Sequence, residues 1–352
     1  MSNPKSQMMR TPRDLGFRMP AEWEPHSAVW LSWPYDTTSF PFLEKAESAF
    51  VEFVKEIHES ETVELQVVNE AMKEKAATML ESTGVSLSAV NIHVTDYADI
   101  WFRDYGPLFV VNRPNRQLAM TKWIFNAWGN KYESLLKDNH VPYSMIDSVR
   151  VPMFEPGIVL EGGSIDVNGK GTLMTSKQCL LNKNRNPGLT QGQIEKYLSD
   201  YLGAEHFIWL KEGIAGDDTD GHIDDIARFV NPTTVLCAYQ EDANDPDHKV
   251  LKENYELLQN STDQDGNKLN VIQLPMPGWV GDNDGRLPAS YANFYIGNSK
   301  VLVPVFGMEN DPRALDVIRS AFPDRKVAGI NALYLVYGFG AFHCMSLQQP
   351  AI

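Results

Sequence analysis

The chain reads as an α/β protein made of five repeated strand–helix–strand units closed around an axis. Three observations predict this. A turn, a short apolar strand, an amphipathic helix and a second apolar strand recur along the 352 residues. No strand runs into the G-x-G-x-x-G turn of a doubly wound dinucleotide fold. No linker rich in Ser, Gly or Pro divides the chain, so residues 1–352 form one domain, with residues 1–20 as a non-periodic N-terminal arm. Repeated units with their helices on one side suit a radial arrangement, which brings loops from every unit to a common centre.

The first unit begins at Ala28–Pro34, where apolar residues precede a proline stop. Phe50, Phe53, Val54 and Ile57 recur at helical spacing and predict a helix over 43–59. Thr62–Val68 closes the unit as a strand. A looser copy starts with a strand over 118–128 and a helix near 133–136. The third unit has a strand over 170–181, a helix over 190–202 and a strand over 206–210. In the fourth, Asn231-Pro232 turns into a strand over 233–239, then a helix over 247–258 and a strand over 270–274. In the fifth, Asn298-Ser299 turns into a strand over 300–306, then a helix over 312–322 and a strand over 326–329.

Composition narrows the function. A net charge of −15 argues against nucleic acid and suits a cationic ligand. No apolar run approaches the ~18 residues needed to span a bilayer. Residues 1–20 lack the apolar core of a signal peptide. The three cysteines, Cys179, Cys237 and Cys344, have neither disulfide nor zinc spacing. The expected setting is the cytoplasm, with no membrane partner.

Four stretches carry the chemistry. In Gly338-Phe339-Gly340-Ala341-Phe342-His343-Cys344, a glycine turn delivers a thiol among aromatics. Packing is a common role for a free cysteine, and nucleophilic attack is the alternative. In Trp101-Phe102-Arg103-Asp104-Tyr105-Gly106-Pro107, a carboxylate beside rings suits a flat cation. A salt-bridged loop is the plainer reading. Glu161 precedes Gly162-Gly163, where backbone can approach a ligand or simply turn. In Asp220-Gly221-His222-Ile223-Asp224-Asp225, an extended backbone puts His222 and Asp224 on one face. Gly216 and Ala227 stand where a calcium loop needs acidic ligands, so calcium is not expected. A thiol, an imidazole and three carboxylates together pose a conflict, because acids oppose thiolate formation. A planar cation such as guanidinium resolves it.

These motifs resemble those of the agmatine deiminase family, within the wider guanidine-modifying superfamily. The resemblance covers nearly the whole chain. It includes Gly16-Phe17-Arg18-Met19-Pro20-Ala21-Glu22-Trp23-Glu24-Pro25-His26, Trp30 with Trp33-Pro34, the four stretches above and Gln348-Gln349-Pro350. It implies a pentein fold, a five-bladed propeller of ββαβ-like units. It implies Cys344 as nucleophile and His222 as general acid and base. Asp104 and Asp224 then grip the guanidinium, with Glu161 as third acid and Trp101 as aromatic wall. It implies hydrolysis of agmatine to N-carbamoylputrescine in polyamine synthesis, without metal or organic cofactor, and leaves room for a homo-oligomer. Phe339 and Ala341 stand where the family usually has Gly and Asn, and Asp225 where it often has Asn. The same fold also serves free arginine or peptidyl arginine, with Arg103 and Arg286 as candidate clamps for a substrate carboxylate. A thiol peptidase has no use for three acids.

Overall fold

Short apolar strands need partners on both edges, and this chain supplies them locally, unit by unit. The structure, a computed structural model, describes residues 10–352; the first nine residues of the expected arm lie outside them. Five sheets of three or four strands follow one plan. A lead strand pairs antiparallel with a central strand, which then pairs parallel with a third. Lead, central and third strands are Leu108–Asn112, Gln117–Thr121 and Met153–Phe154 in one sheet. They are Ile165–Val167, Thr172–Ser176 and His206–Leu210 in the next. Ala227–Asn231, Thr234–Tyr239 and Asn270–Pro275 make another. Tyr295–Ile296, Lys300–Val305 and Lys326–Asn331 follow. The remaining sheet joins the chain's two ends: Ser346–Pro350 leads into His26–Ser32, then Thr62–Val67 and Val90–Val94. The α/β class and the five units are those the sequence predicts.

A parallel pair needs a crossover, and a helix is the usual one. Leu43–Ile57, Gln191–Leu202, Asp247–Gln259 and Asp311–Ala321 serve four units. The first buries Phe50, Phe53, Val54 and Ile57, each worth about 1.5–3 kcal/mol of transfer free energy. Thr190 and Gln193 close a capping box at the start of Gln191–Leu202. The looser unit crosses over through a 3₁₀ stretch, Glu133–His140, and two helical turns.

Several expectations are corrected. The lead strands escaped the sequence reading, because two to five residues give too little alternation. Helix Glu70–Ser82 and strand Val90–Val94 extend the first unit beyond its expected end. The strand expected over 170–181 stops at Ser176, whose hydroxyl accepts the Cys179 N–H at 3.1 Å and starts a helical turn, so Cys179 is not a strand residue. The strand expected over 118–128 stops at Thr121, and Ala127 and Trp128 take left-handed φ values of 51° and 52°. The described part of the arm is docked: Arg18 exchanges backbone hydrogen bonds with Val111, and Met19 N–H donates to Leu202 O. Among the described residues no helix is long and apolar enough to cross a membrane.

Candidate active site

One position recurs in every unit. Asp104, Glu161, Asp224, Asn293 and Cys344 each lie two to four residues ahead of a lead strand, one per sheet. The site is therefore assembled from five loops whose bases are fixed by five separate sheets.

Cys344 is buried. Its thiol donates to Asp224 Oδ2 at 3.4 Å, and Asn293 Nδ2 donates to the sulfur at 2.9 Å. Asp224 Oδ2 also meets His343 Nδ1 at 2.7 Å, and His343 Nε2 meets Glu22 Oε2 at 2.9 Å. Behind them Arg228 bridges Glu22 and Asp166. Asp104 Oδ2 accepts Trp128 Nε1–H at 2.9 Å, and Oδ1 accepts Gly163 N–H at 3.0 Å. His222 Nδ1 lies 3.7 Å from Asp104 Oδ1. Both ring nitrogens of His222, Asp224 Oδ1 and Glu161 Oε2 are buried without a hydrogen-bond partner. Buried polar groups rarely stay unpaired, so these atoms are the candidates to meet a ligand.

Two glycines make the convergence sterically feasible. A Cβ on Gly163 would fall 2.7 Å from both Asp104 Oδ1 and His222 Nδ1, and 3.0 Å from Asp224 Oδ2. A Cβ on Gly340 would fall 2.5 Å from the Trp101 ring and 3.0 Å from Cys344 Cβ. Phe339, between the two glycines of the thiol stretch, has φ 71°, the left-handed region that glycine favours. It keeps the backbone that glycine would give and adds a ring, 42% exposed, at the cavity mouth.

The electrostatics are lopsided. Burial first, then the Asp224 carboxylate, pushes the Cys344 thiol well above its ordinary pKa, while the Asn293 hydrogen bond opposes them. Burial is the largest single effect and lowers the His222 pKa, but the Asp104 carboxylate, Cys179 and Asp224 together outweigh it and hold the pKa well above the ordinary imidazole value. Burial raises Asp104 to about 6. Asp224 is held below the usual range: burial opposes this, but the hydrogen bond and charge of His343 prevail. Burial and the neighbouring Asp224 push Asp225 well above the ordinary carboxylate value.

A cavity of about 290 Å³ leads down to Cys344 between Trp101, Trp128 and Phe339. Asp36, Asp99, Asp104 and Asp218 line it, and its described lining holds no Lys, Arg or His.

The structure places Cys344, His222, Asp104, Asp224 and Trp101 in one region. Glu161 lies beside His222 and Cys179, its Oε1 accepting Arg185 Nε–H at 2.6 Å. The extended reading of 222–225 is corrected: Ile223–Asp225 is a 3₁₀ turn, and across it Asp224 meets the sulfur while His222 meets Asp104. Arg103 neither pairs with Asp104 nor lines the cavity. It donates to Gln348 Oε1 at 2.8 Å and His343 O at 3.2 Å, tying the loop to the last strand. Arg286 is paired with Asp245 and Asp247. Asn293, His343, Trp128 and Arg185 went unrecognised. The Gly129-Asn130 pair was a turn signal for the Trp128 loop. Asn293 had none, because its place is defined only by the sheet topology.

Comparison with known proteins agrees with this geometry. Residues 18–350 match the profile of the Porphyromonas-type peptidyl-arginine deiminase family. A Legionella pneumophila (strain Paris) relative named "Putative agmatine deiminase" is 40% identical over 97% of this chain and 98% of its own. The solved structure of Enterococcus faecalis agmatine deiminase catalysing its reaction is 33% identical, with a TM-score of 0.91 over 99% of each chain. A C. jejuni agmatine deiminase with a cysteine-to-serine change and substrate bound is 32% identical, with a TM-score of 0.85 over 95% of this chain and 96% of that one.

Proposed function

We propose, from the premise that this chain belongs to the Porphyromonas-type peptidyl-arginine deiminase family, that it hydrolyses agmatine to N-carbamoylputrescine and ammonia. The enzyme is a hydrolase of guanidine C–N bonds. The observation that carries the agmatine reading is the cavity lining. Its four acids suit a dication, and no described cation in the lining is placed to pair with the carboxylate of arginine. The rival clamps Arg103 and Arg286 are already engaged elsewhere. The five similar sheets support a propeller around a pseudo-fivefold axis. The three free cysteines fit a cytoplasmic enzyme acting in polyamine synthesis.

In the proposed mechanism, Asp104 and Asp224 accept hydrogen bonds from the guanidinium N–H groups. The incoming positive charge favours loss of the Cys344 proton to solvent. The thiolate attacks the central carbon, giving a neutral tetrahedral adduct. His222, charged beside Asp104, protonates one amino group, which leaves as ammonia. A cationic thiouronium remains on Cys344. Neutral His222 takes a proton from water, and the resulting hydroxide adds to the carbon. Collapse expels the thiolate and releases the ureido product with one proton, so the sum is guanidinium plus water giving urea plus ammonium. Trp101 walls the site, and Glu161 holds Arg185. No metal or organic cofactor enters this scheme.

The test is a colorimetric ureido assay with agmatine, free arginine and peptidyl arginine side by side. The expected outcome is turnover of agmatine alone, abolished in Cys344→Ser while agmatine still raises that variant's melting temperature. Turnover of arginine in preference to agmatine overturns the substrate reading. Ammonia release by Cys344→Ser at the parent rate overturns the mechanism.

A further inference from the structure

We propose that Asn293 is a fifth functional residue of the site, the side chain that holds the Cys344 sulfur in place and stabilises it as the anion. The proposal deepens the reading above, since it concerns the same nucleophile.

The argument starts from the fold. Four sheets each send a chemistry-bearing side chain into the site from just ahead of the lead strand: Asp104, Glu161, Asp224 and Cys344. The fifth sheet's lead strand is Tyr295–Ile296, and the residue in the same relative place is Asn293. Its side chain is 1% exposed and spends every polar group on the nucleophile's surroundings. Nδ2 donates to Cys344 Sγ at 2.9 Å and to Asp225 Oδ1 at 3.0 Å. Oδ1 accepts the backbone N–H of His343 at 3.0 Å and of Cys344 at 3.3 Å. The Asn293 carbonyl also accepts the His343 N–H, at 3.1 Å.

One amide therefore does two things. Its oxygen fixes the backbone from which the sulfur projects. Its N–H is the side-chain donor aimed at that sulfur, in surroundings otherwise dominated by the carboxyl groups of Asp224 and Asp225. A donor held on the developing anion lowers its energy wherever water is excluded. Asp225 Oδ1 accepts from the same Nδ2 and orients it. Asn293 touches the reacting atom without reaching into the cavity lining, so substrate binding does not depend on it directly.

The experiment measures alkylation of Cys344 by iodoacetamide, a neutral probe, across alkaline pH without substrate, alongside steady-state kinetics. Cys344→Ser gives the background from the buried Cys179 and Cys237. Asn293→Ala removes the donor and the clamp together. Asn293→Asp keeps the shape and the Oδ1 acceptor, so the loop remains anchored if the alanine variant fails to fold. Both are expected to alkylate roughly tenfold more slowly at a given pH, with the alkylation limb moved to higher pH, as befits a lost hydrogen bond to a charged group. kcat is expected to fall about a hundredfold, with KM within roughly threefold of the parent. An unshifted alkylation limb in a folded variant overturns the proposal. So does a loss of activity carried by KM alone. Because alkylation uses no guanidine, a wrong substrate assignment leaves this readout intact, and the two failures are distinguishable.

Discussion

Asp104 accepts from Trp128 and Gly163 while lying 3.7 Å from His222, so in the proposed mechanism one carboxylate serves both the substrate and the acid. Asp104→Asn removes the largest of the contributions that raise the His222 pKa against burial. The imidazolium pKa then drops, and an acid that must be protonated to work fails at lower pH. The expected outcome is a kcat/KM lowered roughly a hundredfold or more, with the alkaline limb of kcat displaced downward. An unmoved limb in a pH–rate series removes Asp104 from control of His222. At this scale the sequence was informative where chemistry is intrinsic to a residue type. Cys344, His222, Asp104 and Asp224 were legible because thiol, imidazole and carboxylate announce what they can do. Asn293 and Trp128 were not, because an amide or an indole gains a role only from what it touches.

The Gly162–Ser164 turn joins the loop bearing Glu161 to the lead strand Ile165–Val167 and packs Gly163 against Asp104, His222 and Asp224. Gly163→Ala places a methyl in the space shared by Asp104, His222 and Asp224. Misplacement of about 1 Å at a catalytic constellation costs on the order of a hundredfold in rate. A loss of that size in kcat is expected, with the variant still folded by circular dichroism. Parent-like kcat means the turn has slack that the contacts do not suggest. Helices Leu43–Ile57 and Asp247–Gln259 were legible to within a few residues, since long periodic patterns survive any context. The lead strands were not, and neither was the 3₁₀ turn Ile223–Asp225, whose short irregular path is imposed by the loops packed on it.

Several of the molecule's acids are buried. Burial raises Asp99, Asp104 and Asp166 to about 6 and Asp138 to about 7. An unfolded aspartate titrates near ~3.9. Between about pH 4 and about pH 7 the folded chain therefore holds protons that the unfolded chain has released, and stability falls as pH rises. Glu22 and Asp224 act oppositely, because Arg228 and His343 depress them against burial; their contribution is complete above about pH 5 and is lost only in stronger acid. Thermal melts at constant ionic strength are expected to give a higher midpoint near about pH 5 than near about pH 7.5. A midpoint that is flat or rises across that window counts against protonated acids in the folded state. The sequence by itself determined the α/β class, the five units and the residue types able to attack, grip and protonate a guanidinium, because periodicity and functional-group chemistry are local properties. Only the tertiary structure decided which side chains meet. Their meeting depends on where five lead strands end, and each strand is placed by its pairing with a central strand and by the helix packed behind it, which no local stretch encodes.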